Sequence, residues 1–374
     1  MSQNIILIIK ENKKRKDLYN LIKPYLNNNN IKYHYLLSCA IIYNNIDCFK
    51  ILLDNNYNIN FQDEINGNFP LLYIFFDNHI NKVKMCKILL NKTNIDVNLK
   101  NDRFITALMT AVYKNNDNTI KSLKLLLKKE ELNVNIKNKL GATALIIACQ
   151  QNNIKIVQLL LKRKNIDLNI KDNLDNSAFI LAVSKNNIEI VKLLLEDERL
   201  NLNLPYYEND NDNDIMKIFL SYYKFNSISY NDEIHHNFIK YYENKNDLKN
   251  VIDLILESKQ FIDFNFHNNY YENIIYYVCK YNDDYFLNKI INKINTYEDS
   301  IKQKTKIIEM IIYNGYNLDI IEKIPKKYLT IEQFGRYEIL YKIIYNNICE
   351  NNLKSNFFNQ NVKKFVDMTI TTIT

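Results

Sequence analysis

The sequence predicts an all-α fold, a solenoid of short helical hairpins with extended finger loops, ending in divergent repeats and a C-terminal cap. Three landmarks predict it, and all keep one phase. The first is a leucine doublet or triplet, "KILLDN", "KILLNK", "KLLLKK", "QLLLKR" and "KLLLED", around Leu52, Leu89, Leu126, Leu160 and Leu194. Successive spacings are 37, 37, 34 and 34 residues. The second is "TALMTA" from Thr106, "TALIIA" from Thr143 and "SAFILA" from Ser177, with "FPLLYI" from Phe69 a weaker version. The third is an apolar-Asn element centred on Asn60, Asn98, Asn135, Asn169 and Asn203. A fixed period of this length is the mark of a repeat architecture.

Each unit divides into three elements. In "ATALIIACQQ", Thr143 suits a helix N-cap, and Ala144, Leu145 and Ala148 fall on one face of a first helix. In "IKIVQLLLKR", Ile154, Val157, Leu160 and Leu161 follow the helical period of a second. Then "IDLNI" alternates apolar and polar as an extended finger does. Between the helices the chain must turn sharply, a place for glycine, yet the whole sequence holds four glycines. The pairs Asn44 and Asn45, Asn115 and Asn116, Asn152 and Asn153, and Asn186 and Asn187 stand there instead. Asn tolerates the left-handed backbone better than other side chains, so it is the expected substitute. Helices this short do not persist alone; stacking against the next pair must cover their apolar faces.

The pattern resembles the ankyrin repeat family across residues 31–205, in five consecutive units. The likeness lies in the T-x-L-x-x-A stretch, the leucines and the closing apolar-Asn element. The proline of the family's first helix survives only at Pro70, and the glycine ahead of that helix only at Gly67 and Gly141. In the fifth unit Arg199 occupies part of the hairpin start, which predicts an irregular finger there.

Outside the array, residues 1–30 read as an N-terminal helical cap. Residues 206–214, "YYENDNDND", read as an acidic flexible insertion. Residues 215–330 read as divergent ankyrin-like repeats. There "KIFLSYYKFNSISYNDE" from Lys217 echoes "KILLDNNYNINFQDE" from Lys50, and "LKNVIDLILESKQFIDFNFHN" keeps the helix-then-finger order with Asn265 in the closing position. Gly315 stands where ankyrin units carry a glycine after the second helix. Residues 331–374 read as a C-terminal helical cap.

Composition excludes several classes of function. Asn, Ile, Lys and Tyr are abundant and Gly, Pro and Trp scarce, a bias that AT-rich codons explain. A 47% hydrophobic content is too high for a disordered chain. Glycines at 67, 141, 315 and 335 are too dispersed for a phosphate-cradling loop or a dinucleotide fingerprint. The histidines (His34, His79, His235, His236, His267) and six cysteines lack metal-ligand spacing, and Cys149 follows "TALIIA" as a core thiol. The cysteines lie within apolar helical patterns, which points to reduced thiols in the cytoplasm, with the nucleus open. No apolar run approaches the roughly 18–20 residues of a membrane span. Net charge is +7, but apart from "KENKKRK" at 10–16 the basic residues are dispersed, which argues against nucleic acid.

The expected function is therefore not enzymatic: a protein–protein interaction scaffold with no cofactor, metal or small-molecule substrate. In ankyrin proteins partners meet the finger tips and the exposed side of the first helix. Carried over unit by unit, the resemblance implies Asp102 and Arg103 with Tyr113 and Lys114, then Lys139 and Leu140 with Gln150 and Gln151, then Asn173 and Leu174 with Ser184 and Lys185. The alternative is a substrate-recognition adaptor whose C-terminal segment, around "EKIPKKYLTIEQFGRYEILYKII", recruits an enzyme complex such as a ubiquitin ligase.

Overall fold

The computed structural model describes residues 2–10, 15–26, 35–55, 57–203, 218–219, 245–264, 274–281 and 283–296. The acidic stretch at 206–214, the closing Asn265, the segment at 331–374, His34, His235, His236, His267, Gly315 and Gly335 lie outside them. The chain divides into two compact units, Met1–Arg199 and Leu200–Thr374.

The first unit holds helices α1 (Ser2–Lys10), α2 (Arg15–Leu26), α3 (Tyr35–Ile42), α4 (Ile46–Asp54), α5 (Pro70–Tyr73), α6 (Ile80–Leu90), α7 (Ala107–Lys114), α8 (Asp117–Leu126), α9 (Ala144–Gln150), α10 (Ile154–Leu161), α11 (Ala178–Ser184) and α12 (Ile188–Leu195). They pack in two rows. Helices α1, α3, α5, α7, α9 and α11 follow one another in the first; α2 packs on α4, α4 on α6, α6 on α8, and α10 on α12 in the second. The central leucine of each repeat, Leu52, Leu89, Leu126, Leu160 and Leu194, is buried. Burial in the first row goes beyond a single face. Residues 144–149 of α9 are all buried, because that helix is enclosed by its own hairpin partner and by both neighbouring hairpins.

Threonine or serine caps the first helices as the sequence leads one to expect. The side chains of Thr106, Thr143 and Ser177 accept from Met109 N, Ile146 N and Ile180 N. In each asparagine pair the two residues have different jobs. Asn44, Asn115, Asn152 and Asn186 take the left-handed backbone, with φ of 55, 40, 59 and 51°. Asn45, Asn116, Asn153 and Asn187 instead cap the second helix, each side chain accepting from the backbone three residues on. Asn152→Gly is therefore expected to be neutral or stabilising, and Asn152→Val to cost about 1–3 kcal/mol. Equal melting temperatures for the two variants would refute this role for Asn152.

The hairpin α5–α6 lacks the asparagine pair and turns differently. His79 caps α6, its Nδ1 accepting from Asn81 N. Buried Lys82 donates to Tyr73 O (3.2 Å) near the end of the short α5 and pairs with Asp77 (3.1 Å). Burial holds the Lys82 ammonium below its ordinary pKa range despite that pairing.

The fingers are joined by the closing asparagines. An Asn side chain offers a donor and an acceptor like a peptide group, and here it bridges to the next finger. Asn60 donates to Asn94 O (2.7 Å) and accepts from Asp96 N (2.9 Å). Asn98 repeats this with Glu131 O and Asn133 N, and Asn135 with Asn165 O and Asp167 N. Asn169 donates to Arg199 O (2.8 Å).

Arg199 anchors the start of its finger to the preceding unit. Its guanidinium donates to Leu161 O, Arg163 O and Lys164 O in the preceding unit while pairing with Asp197. Arg163 binds carbonyls of the unit before its own in the same way, so the residue is a repeated device.

In the second unit, α13 (Lys245–Glu257), α14 (Ile274–Lys280) and α15 (Asp284–Asn295) pack together, α15 lying against the other two. Lys289 of α15 pairs with Asp253 and Glu257 of α13, both at 2.7 Å. Asn203 donates to Phe261 O and accepts from Asp263 N. The bridge that spans 30–36 residues in the first unit thus spans 58 and 60 here. The finger following Asn203 is supplied by 261–264.

Candidate functional site

Each finger turn begins with an Asp or Asn whose side chain staples the following backbone. Asn101 Oδ1 accepts from Arg103 N and Ile105 N, Asn138 Oδ1 from Leu140 N and Ala142 N, and Asp172 Oδ1 from Leu174 N and Asn176 N. One residue per turn then takes a positive φ: Gly67 (64°), Phe104 (58°), Gly141 (76°) and Asp175 (61°). At Gly141 a Cβ would meet Asn173 N at 2.6 Å, because the next finger presses against it. Successive tips are tied by single backbone bonds, Asp102 N to Asn66 O, Lys139 N to Arg103 O and Asn173 N to Leu140 O, at 2.9–3.2 Å. These locks fix the tip side chains in register.

The tips expose large apolar side chains. Ile65 is 84% exposed, Phe104 46%, Leu140 72% and Leu174 72%. Lys100 and Lys139 hold their ammonium groups 5.0 and 5.7 Å from the Phe104 ring centre. Behind the tips an open groove of about 870 Å³ is lined by Arg103, Lys114 and Lys139, by Leu72, Phe76, Ile105, Tyr113 and Leu140, and by the amides of Asn66, Asn68, Asn101 and Asn138. No carboxylate lines it.

The structure brings five of the twelve sequence-derived candidates into this groove: Arg103, Tyr113, Lys114, Lys139 and Leu140. Asp102, Gln150, Gln151, Asn173 and Leu174 are exposed outside its lining, and Ser184 and Lys185 are half-buried. The exposed part of the first helices shrinks to their last turns, at Tyr113 and Lys114 and at Gln150, since the preceding residues are buried. Phe104, Phe76 and Ile65 were not among the candidates. Phe104 had a signal: it lies 37 residues from both Gly67 and Gly141, in the glycine position of its finger.

No group of three or more His, Cys, Asp or Glu that could hold a metal occurs among the described residues. Cys48, Cys86 and Cys149 are buried and Cys39 half-buried, all as free thiols. Burial raises the Cys39 pKa to about 11 and those of Cys48 and Cys86 to about 12, and raises Cys149 as well. These thiols stay protonated at neutral pH and are poor nucleophiles there. No described helix is long and apolar enough to cross a membrane.

A sequence profile of ankyrin repeats, three copies long, matches residues 36–129 and again 108–205. Residues 36–205 form ankyrin repeats. The matched stretch contains the five hairpins and the groove. Among solved structures, the ankyrin repeat protein EF0377 is similar, with 20% identity, a TM-score of 0.42, and coverage of 65% of this chain and all of the other. A search of the curated proteins finds no match. Ankyrin repeats are in general protein–protein interaction modules.

Proposed function

We propose that this protein is a non-catalytic scaffold that binds a protein partner against its finger tips and the last turns of α7 and α9. One observation carries the reading. The first helices are enclosed nearly to their ends, while the tips beside them hold large apolar side chains in water on hydrogen-bonded turns. Exposed apolar surface rimmed by polar groups is what interaction sites present. The free, buried thiols favour a reducing compartment, the cytoplasm or the nucleus, as a further element of the proposal. Recruitment of an enzyme complex by the C-terminal segment would involve residues outside those described.

The test is site-specific photo-crosslinking in the native cell, with the photoreactive residue at Leu140 or at exposed Gln158 on α10. A discrete protein adduct from position 140 and none from 158 is expected. Equal labelling from both positions would contradict the assignment.

A further inference from the structure

We infer that the partner segment seated on these tips is an extended acidic peptide carrying an apolar side chain at every third residue; this rests on the scaffold reading above and specifies what it binds. Two independent features lead there. The first is spacing. Each finger is a narrow hairpin bonded to the next through its backbone, so one repeat advances by two strand widths, about 10 Å. A chain in the extended polyproline II conformation rises about 3.1 Å per residue with three residues per turn, so every third side chain returns to the same face about 9 Å on. Ile65, Phe104, Leu140 and Leu174 set one exposed apolar group on each of four successive fingers. A peptide lying across them meets each with every third side chain.

The second feature is charge. Arg103, Lys114 and Lys139 line the groove with no carboxylate among the lining residues, and Lys100 joins Lys139 over the Phe104 ring. Glu64 and Asp102 sit at the tips outside that lining, which confines the basic strip to the groove. The peptide's intervening residues are therefore acidic. Exposed Asn66 in the groove lining adds an amide donor and acceptor for an extended backbone. Single-stranded nucleic acid fits less well, because it asks for aromatic platforms at successive positions, and Ile65, Leu140 and Leu174 are aliphatic.

Phe104 ties the two features together. Its finger keeps a bulky ring at φ 58°, where two sister fingers have glycine. A residue held in a disfavoured backbone region points to a role for its side chain, and this ring stands exposed between two lysines.

The experiment measures fluorescence anisotropy with the full chain and a labelled (Val-Glu-Glu)4 peptide. The probes compared with it are a scrambled peptide of the same composition, (Val-Lys-Lys)4, and a single-stranded RNA 12-mer. Expected are binding at least tenfold tighter than to the scrambled peptide and no binding of the basic one. A loss of at least tenfold is expected in Arg103→Glu/Lys139→Glu. Phe104→Gly keeps or raises the melting temperature yet weakens binding at least fivefold, which separates recognition from folding. Equal affinity for ordered and scrambled peptides, no effect of charge reversal, or RNA binding tighter than the acidic peptide would overturn the inference. An adduct at position 140 together with any of those results would leave the scaffold reading standing and remove only this partner chemistry.

Discussion

Leu160→Ala is expected to lower the stability of the array by about 2–5 kcal/mol, the usual cost of emptying a close-packed leucine site. Leu160 is fully buried in the last turn of α10, the helix that packs against α9 and α12. Its neighbour Leu161 is only half-buried, so Leu161→Ala should cost well under half as much. The comparison is informative because both lie in the same "QLLLKR" run and have equal hydrophobicity. Only the stacked arrangement makes one essential and the other dispensable. Urea unfolding followed by circular dichroism gives both values; equal losses would place the leucine run wrongly on the helix.

Arg163→Ala is expected to cost about 2–3 kcal/mol, since hydrogen bonds from a charged donor are the stronger kind and their loss strands the acceptors. Nη1 of Arg163 donates to Leu127 O (2.8 Å) and Lys129 O (3.0 Å), and Nη2 to Glu130 O (3.3 Å) and Leu132 O (3.1 Å). Leu127 is the C-cap of α8, where a helix leaves acceptors without internal partners, and the other three carbonyls lie just beyond it. A cation at that end also meets the negative pole of the helix dipole. Arg163→Lys should recover less than half of the loss, because an ammonium lacks the planar fork that reaches several carbonyls at once. Full recovery by lysine in the same urea assay would show that charge alone matters at this position.

These effects show where a reading of the sequence succeeds. Repeat length, helix pairs and the left-handed asparagines were legible because each depends on residue type and local spacing. The capping role of Asn45, Asn116, Asn153 and Asn187 was hidden by composition: in a chain rich in asparagine, the second member of a pair looks like the first. The arginine devices were illegible for another reason. Arg163 reaches carbonyls more than 30 residues away, and carbonyls carry no sequence signature. The bridge from Asn203 to Phe261 and Asp263 was illegible for the same reason: it exists only in space, across about 60 residues of sequence.

The groove proposed as the partner surface was legible in the same partial way. Arg103, Tyr113, Lys114, Lys139 and Leu140 could be carried over by phase, and the structure sets them around one groove. Phe104 escaped because an aromatic residue in a glycine position is what a pattern search discards. Its ring becomes prominent only once the strained backbone and the two flanking lysines are seen together.

The central claim is that each repeat is held in place by the one beside it. Amide hydrogen exchange at Asp167, read by NMR in the wild type and in Asn135→Ala, tests this most directly. The Asp167 N–H lies on an exposed finger and donates to the side chain of Asn135 in the preceding unit. Slow exchange in the wild type and at least tenfold faster exchange in the variant is the predicted result. Unchanged exchange at Asp167, with any effect confined to residues around position 135, would contradict the account.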